Sequence, residues 1–463
     1  MKSNDVPWRS GKVFGYTYEA AKEIEEVVYK AYLMFLGENA LDPTVFPSLR
    51  QLETEVVTMA AELLGGNEET TGNFTSGGTE SIMLAVKTAR DYFRDVKPEI
   101  TKPEIIVART AHAAFHKAGH YLDVNVVVVP VNKETFMADV AATEAAITEN
   151  TIMIVGSSPS YPHGVIDPIE DLAKMAKDRG ILCHVDACVG GMYLPFAKKL
   201  GYDIPAFDFS VDGVTSMSCD FHKYGYAAKG ASCVLHKDAN LRRYQIFTCA
   251  SWAGYSIVNP TVLSSKTGGP MAGAWAVLKA MGQDGYMEIV DAGQKATQHV
   301  IEGIEKIPGL YVMGKPAMNL VAIASSDPAI NIFELSDAMK AKGEWGLQVQ
   351  LACDDAVEAL HLSINRANVP HIDDMLRDLV ICIAELKNKP EEEEAFAIAP
   401  EVIEGMFANF SPEMFDSLEE MLGMGGDNPI PDKFAFINNI LNSLPAKYRK
   451  VLLTEFVNRL FTV

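Results

Sequence analysis

An open α/β domain on a mostly parallel sheet, followed by a smaller α+β domain, is the fold class this sequence predicts, and three observations predict it. Short apolar runs rich in β-branched residues recur through the middle of the chain: EIIVA (104–108), VNVVVVPV (124–131), TIMIVGS (151–157), ILCHVD (181–186) and ASCVLH (231–236). They are continuous rather than alternating, which is how strands buried on both faces read. Helical stretches lie between them, and one, DPIEDLAKMAKDRG (167–180), opens on Asp-Pro and stops at Gly180 as helix caps require. Beyond residue 285, helical spacing mixes instead with LVAIASS (320–326), GLQVQL (346–351) and ALHLSI (359–364), the pattern of a second, α+β unit.

Taken in order, YEAAKEIEEVVYKAYLMFLG (18–37) reads as one helix, and ENALDPTVFPSLRQLE (38–53) as an extended arm too polar and too punctuated by proline for a core. Such an arm packs on a neighbour or over a cleft. The chain thus divides into an N-terminal helix and arm (1–71), a large α/β domain (72–285), a small α+β domain (286–390) and an extension (391–463). The extension opens on an acidic run, KPEEEEAF, and carries two helical patterns, PDKFAFINNILNSL (431–444) and AKYRKVLLTEFVNRLF (446–461).

Composition narrows the function classes. At 463 residues, 48% apolar and 22% charged, the chain is long enough for two or three globular domains and too apolar to be mainly disordered. Its 61 acids against 40 bases, net −21, repel phosphate backbones and anionic lipid surfaces, which argues against a nucleic-acid partner. No apolar stretch approaches the length of a membrane span and no signal-peptide pattern opens the chain. The seven cysteines form no Cys-x-x-Cys pair and sit mostly in apolar runs, as reduced thiols of a cytoplasmic protein do.

Four features carry chemistry. NFTSGGTES (73–81) is a Gly-Gly turn entering a helix, where backbone N–H groups and Thr79 could hold a phosphate; a tight turn without a ligand reads the same way. TAHAAFHKAGH (110–120) spaces His112, His116 and His120 as zinc ligands along one helix face would be spaced. Neither acid nor cysteine completes that set, so a flat imidazole lying against another ring is the better use and no metal is expected. LCHVDACVGG (182–191) places Asp186 at the end of a buried strand, where open α/β sheets keep their ligand crevice. CDFHKYGYAAKG (219–230) then supplies His222-Lys223 and, six residues on, Lys229. A phosphate anchor, a stacking ring, a counter-ion for a pyridinium nitrogen and an amine for a Schiff base are together what pyridoxal phosphate requires.

These blocks, with DVPWRSG (5–11), PSYPHGVIDPI (159–169) and NPTVLSSKTGG (259–269), resemble the group II pyridoxal phosphate-dependent decarboxylase family and, within it, the sphingosine-1-phosphate lyases, over about residues 5–390. The resemblance implies the fold-type I transferase fold, pyridoxal 5'-phosphate as cofactor and a homodimer with shared active sites. It makes Lys223 the Schiff-base lysine, Asp186 the pyridinium partner and His112 the stacking residue. Gly78, Thr79, His222 and Ser265 become cofactor contacts, the last from a loop that reaches the neighbouring subunit. Tyr161 and His112 join Lys223 as catalytic candidates, and Tyr18, Asp42 and Lys229 become substrate contacts. The activity implied is carbon–carbon cleavage of a β-hydroxy amine, with α-decarboxylation of an unphosphorylated amino acid as the alternative. Three segments depart from the lyases. Asp42 in NALDP replaces a histidine, Lys266-Thr267 in SSKTGG replace Arg-Pro, and Glu404 in EVIEGM replaces a tyrosine.

Overall fold

The computed structural model describes residues 5–354, 356–388 and 433–461. Their largest element is a seven-stranded mixed sheet: β1 (Thr71–Thr75), β2 (Glu104–Ala108), β3 (Asn125–Val129), β4 (Thr151–Ser157), β5 (Leu182–Asp186), β6 (Ser216–Asp220) and β7 (Ser232–His236). The spatial order is β1-β7-β6-β5-β4-β2-β3. The pairs β3–β2–β4–β5–β6 are parallel, and β7 runs antiparallel to both β6 and β1. The five strands expected from continuous apolar runs are all present. In addition, β1 and β6 are strands that alternate polar residues with the core groups Phe74, Met217 and Cys219 instead of running continuously apolar.

At the carboxyl ends of β4, β5 and β6 the register sets Ser157 beside Asp186 and Asp186 beside Ser218, with Asp220 two residues further along β6. Helices cover both faces. The helix Gly78–Val96 buries Ile82, Leu84, Ala85, Val86, Ala89 and Phe93, and Ile169–Arg179 buries Ile169, Leu172, Ala173 and Ala176.

One expectation about the N-terminal arm is corrected. The segment read as extended to residue 53 turns helical at Pro47, and the helix continues to Leu63. Proline fits the first helical position, where its missing N–H costs nothing. Leu49, Val56, Val57, Ala60 and Ala61 then form a buried stripe, which outweighs the polarity of the helix's opening turns. The first helix is shorter than expected, Lys22–Met34, and packs along the 37-residue helix Gly269–Glu305, which bends at Gly282. That long helix crosses the position where the sequence suggested a boundary between large and small domains.

A hairpin, β8 (Phe247–Cys249) and β9 (Ile257–Asn259), precedes that long helix. The small domain follows, an antiparallel sheet β10 (Leu310–Val312), β11 (Leu320–Ser325), β12 (Gln348–Gln350) and β13 (Ala359–Ser363) in the order β10-β11-β13-β12. Helices Ile332–Gly343 and Ile372–Lys387 cover it. The N-terminal segment belongs to this core. Phe14 is fully buried 6.3 Å from Trp345, its N–H bonds Gly346 O at 2.8 Å, and its carbonyl accepts from Ser363 N–H at 3.1 Å. All seven cysteines are unpaired, five of them buried. Among the described residues no helix is long and apolar enough to cross a membrane.

Because Phe14 ties the chain's start to the second core, Phe14→Ala should cost about 3–5 kcal/mol and lower the unfolding temperature seen by calorimetry, an effect that surface changes such as Tyr16→Ala should not reproduce.

Candidate active site

The carboxyl ends of β4, β5 and β6, the turn after β1 and the 220–223 segment enclose a cavity of about 370 Å³. Its floor is set by glycine. A Cβ on Gly78 would stand 2.7 Å from Cys188 Sγ and 2.9 Å from Asp220 Oδ2, so only a bare backbone lets the helix Gly78–Val96 begin this close to the β6 end. The N–H groups of that first turn open onto the cavity alongside Thr79. His222 stands at the same rim, its Nδ1 accepting Ala231 N–H at 3.1 Å and its Nε2 3.6 Å from Asp220.

Lys223 and Asp220 form the electrostatic centre, with Nζ 3.0 Å from Oδ2. Burial alone would push the lysine's pKa down, but Asp220, Cys188, Tyr18 and Asp186 outweigh it and hold the ammonium above its ordinary range. Burial likewise works to raise Asp220, yet Lys223 and His222 carry it below the usual carboxylate range. Oδ1 of Asp220 is buried without a hydrogen-bond partner. Asp186 is held differently, its Oδ1 accepting Cys188 N–H at 3.0 Å and the Ser218 hydroxyl at 3.1 Å.

The structure brings Gly78, Thr79, His112, Tyr161, Asp186, His222 and Lys223 to this one cavity. Tyr161 donates to Gln348 Oε1 at 2.5 Å, and its ring lies 4.4 Å from that of His361. Burial pushes its phenol pKa up. Tyr18 lies under Lys229, whose ammonium is 5.0 Å from the ring centroid and donates to His222 O at 3.1 Å. Burial first, then Lys223, lowers Lys229 to about 8, and burial raises Tyr18 to about 12.

Tyr18 and Lys229 do not line the cavity themselves and join it through the His222 carbonyl, and two further candidates lie elsewhere. Asp42 sits in an exposed turn, where it accepts Thr44 N–H at 2.8 Å and the Thr44 hydroxyl at 2.6 Å. Ser265 is exposed on the loop after β9. Neither lines the cavity of its own chain. The two segments nevertheless meet: Ala40 N–H bonds Lys266 O at 2.8 Å, and Asn39 Oδ1 accepts Lys266 N–H at 3.2 Å. The three histidines of 110–120 do not share one helix face, because the helix starts at Ala114 and leaves His112 in the preceding turn, with only His116 and His120 on it. Among the described residues no metal-binding cluster occurs. Glu404 lies outside the described residues.

Sequence reasoning missed Asp220, Glu80 and Gln348. Asp220 has a legible signal, a carboxylate three residues before the lysine at a strand's end. Glu80 is buried and accepts Ser76 N–H (2.6 Å), Val262 N–H (2.7 Å) and Leu263 N–H (3.2 Å), tying the phosphate turn to the 262–265 loop. Gln348 comes from the other domain and has no local signal.

Comparison with known proteins places this cavity in a family. A model of the pyridoxal-dependent decarboxylase conserved domain matches residues 6–325. The chain belongs to that family. A second model, named for a C-terminal HTH domain of pyridoxal-dependent enzymes, matches residues 394–459. The chain is 46% identical over 398 residues to the sphingosine-1-phosphate lyase of Oryza sativa, covering 84% of this chain and 72% of that one. It is 42% identical over 342 residues to sphingosine-1-phosphate lyase 1 of Rattus norvegicus, covering 74% and 59%. Among solved structures, the sphingosine-1-phosphate lyase of Burkholderia pseudomallei matches at 33% identity and a TM-score of 0.78, over 87% of this chain and 91% of that one. The glutamate decarboxylase of Lactobacillus brevis, at 22% identity and a TM-score of 0.74 over 84% and 91%, shows the fold.

This member of the family is therefore a pyridoxal phosphate-dependent lyase of fold-type I. The residues present fit the cofactor: an N–H-lined helix start and His222 suit its phosphate, Asp186 its ring nitrogen, and Lys223 its aldehyde.

Lys223 must be neutral to bond that aldehyde, and Asp220 holds it charged. Cofactor uptake, followed by visible absorption, should therefore accelerate as pH rises, by about tenfold per unit below the lysine's pKa. Asp220→Asn should move that curve to lower pH, and Lys223→Ala should abolish the visible band. Gly78→Ala should weaken cofactor retention by about tenfold or more, since its Cβ displaces both the helix start and Asp220.

Proposed function

We propose that the chain cleaves the carbon–carbon bond of a phosphorylated β-hydroxy amine, as sphingosine-1-phosphate lyases do. The observation that carries this reading is Lys229, a cation at the rim beside His222 and Lys223, braced on the Tyr18 ring and so placed to receive a second anion beyond the cofactor's own phosphate. The similarity to lyases of plant, animal and bacterial origin supports it.

Pyridoxal phosphate, when bound, supplies an electron sink for bonds to the carbon that carries the amine. Asp186 keeps the ring nitrogen protonated. Lys223, once its amine is free, would take the proton that the β-hydroxyl loses as the carbon–carbon bond breaks and return it to the carbon that carries the amine. Tyr161 uses its O–H on Gln348 and offers the remaining lone pair of its oxygen to the substrate's β-hydroxyl. Because burial raises its pKa, Tyr161 works as a neutral hydrogen-bond acceptor that orients the hydroxyl, not as a standing phenolate base. Lys229 fixes the substrate's phosphate.

The working unit is a cytoplasmic homodimer. Leu33, Met34, Leu36, Val45, Val262 and Leu263 stand exposed on the first helix, the arm and the 262–268 loop, three pieces joined in this chain. A second copy covering them would bury about 2,000 Å² or more and bring Asp42 and Ser265 toward its cavity. An active monomer in sedimentation would refute this arrangement.

The second reading, α-decarboxylation, rests on Asp42, an acid where the lyases have a histidine, and on 35% identity over 349 residues to a Pyrococcus furiosus protein named "Probable L-aspartate decarboxylase". Incubating holoenzyme with sphingosine phosphate and, separately, with a panel of amino acids separates the two: fatty aldehyde supports the lyase, and carbon dioxide from any amino acid replaces it. For the lyase, Lys229 binds phosphate only as the ammonium. The KM should then rise as pH passes upward through about 8, and Lys229→Ala should remove that dependence. Asp42→His should lower the KM for the phosphorylated substrate. A raised KM would show that the acid serves a cationic substrate instead.

A further inference from the structure

The two C-terminal helices, Ala435–Ser443 and Ala446–Leu460, have no place in the chemistry above, yet they are fastened to the small domain at a particular point. Arg449 donates from Nη1 to Ala352 O at 3.0 Å, from Nε to Leu444 O at 2.8 Å and from Nη2 to Asn442 O at 3.0 Å. Asn442 Oδ1 accepts Ala352 N–H at 2.7 Å. Both backbone groups of Ala352 are thus taken by the extension. Asp337 and Asn331 anchor the first of the two helices nearby, through the N–H groups of Phe434 and Ala435 and the side chain of Asn439.

Ala352 lies two residues past the end of β12, and β12 is the strand that faces the cavity's tyrosine. Gln348 takes the Tyr161 hydroxyl, and Gln350 Nε2 donates to Pro162 O at 3.1 Å. His361, paired with Gln348 across β13, stacks on the Tyr161 ring and hydrogen-bonds its carbonyl at 2.9 Å. The Tyr161 hydroxyl thus has Ser363 of β13 beside it and donates its hydrogen bond to Gln348 of a three-residue edge strand, and such a short edge holds its place poorly unless its ends are fixed. Arg109, paired with Asp354, fixes the loop on its other side.

We infer that the C-terminal helical pair is a positioning element for the active site: by clamping Ala352, Arg449 and Asn442 hold β12 in place so that Gln348 keeps the Tyr161 hydroxyl in its working orientation. The inference rests on Tyr161 acting in the reaction proposed above. Arg449 and Asn442 touch neither cofactor nor substrate and act only through Gln348.

The test is a double-mutant cycle in the full-length holoenzyme, assayed with sphingosine phosphate. Arg449→Ala should lower kcat by roughly tenfold, with the KM, the cofactor's visible spectrum and its retention unchanged. Gln348→Ala should do the same, and the double variant should lose no more than either single one, because both act on one hydroxyl. In cofactor-free protein, amide exchange at 159–164 and 348–352 should be faster in Arg449→Ala than in wild type, a change independent of turnover. Asn442→Ala, which removes the other half of the clamp, carries the test if Arg449→Ala fails to fold. Full kcat in the clamp variants, or losses that multiply with those of Gln348→Ala, would overturn the inference. Should Tyr161→Phe itself be fully active, the tyrosine's proposed role fails and the inference with it. An impaired Tyr161→Phe beside a normal Arg449→Ala overturns the inference alone.

Discussion

Asp220 and Lys223 are a salt bridge at the end of a buried strand, with the carboxylate fully buried and the ammonium at the cavity wall. Removing a charge from solvent costs several kcal/mol, and the attraction between partners repays it only with good geometry and further hydrogen bonds. Strand β6 supplies the geometry: its last residue is Asp220, and the turn that follows brings Lys223 back over it. Its polar positions are satisfied across the sheet, Ser216 by His184 and Ser218 by Asp186. The pair leaves Asp220 Oδ1 unpartnered, a cost of the kind found where a site is shaped for a ligand and not for stability.

That arrangement explains what could be read from the sequence. Strands β2, β4, β5 and β7 are nearly continuous aliphatic runs because helices cover both faces, and their boundaries lie within a residue or two of those expected. Strands β1 and β6 escaped because Asn73, Thr75, Ser216, Ser218 and Asp220 look like loop residues until the sheet supplies their partners. The same physics hid the helix from Pro47, whose opening turns are polar while its later turns are buried.

The site followed a similar division. Residues carried on local motifs, Gly78, Thr79, Asp186, His222 and Lys223, converge on one cavity, since each motif fixes its own backbone at a strand's end or helix's start. Contacts made between distant segments were not legible. Gln348 meets Tyr161 across 187 residues and Glu80 meets Val262 across 182, and no spacing rule encodes such pairs. Asp42 and Ser265 are the opposite case: their motifs are recognisable, but a single chain has no cavity for them.

The joining of the arm to the 266–268 loop gives two of the chain's departures from the lyases a common meaning. Asp42 and Lys266 are far apart in sequence, yet Ala40 and Lys266 share a backbone hydrogen bond, so the new acid and the altered base ride on one patch. The two segments that carry them are then parts of one surface. The charge and shape of that surface are set by both segments together, and exchanging only one of them would rebuild half of it.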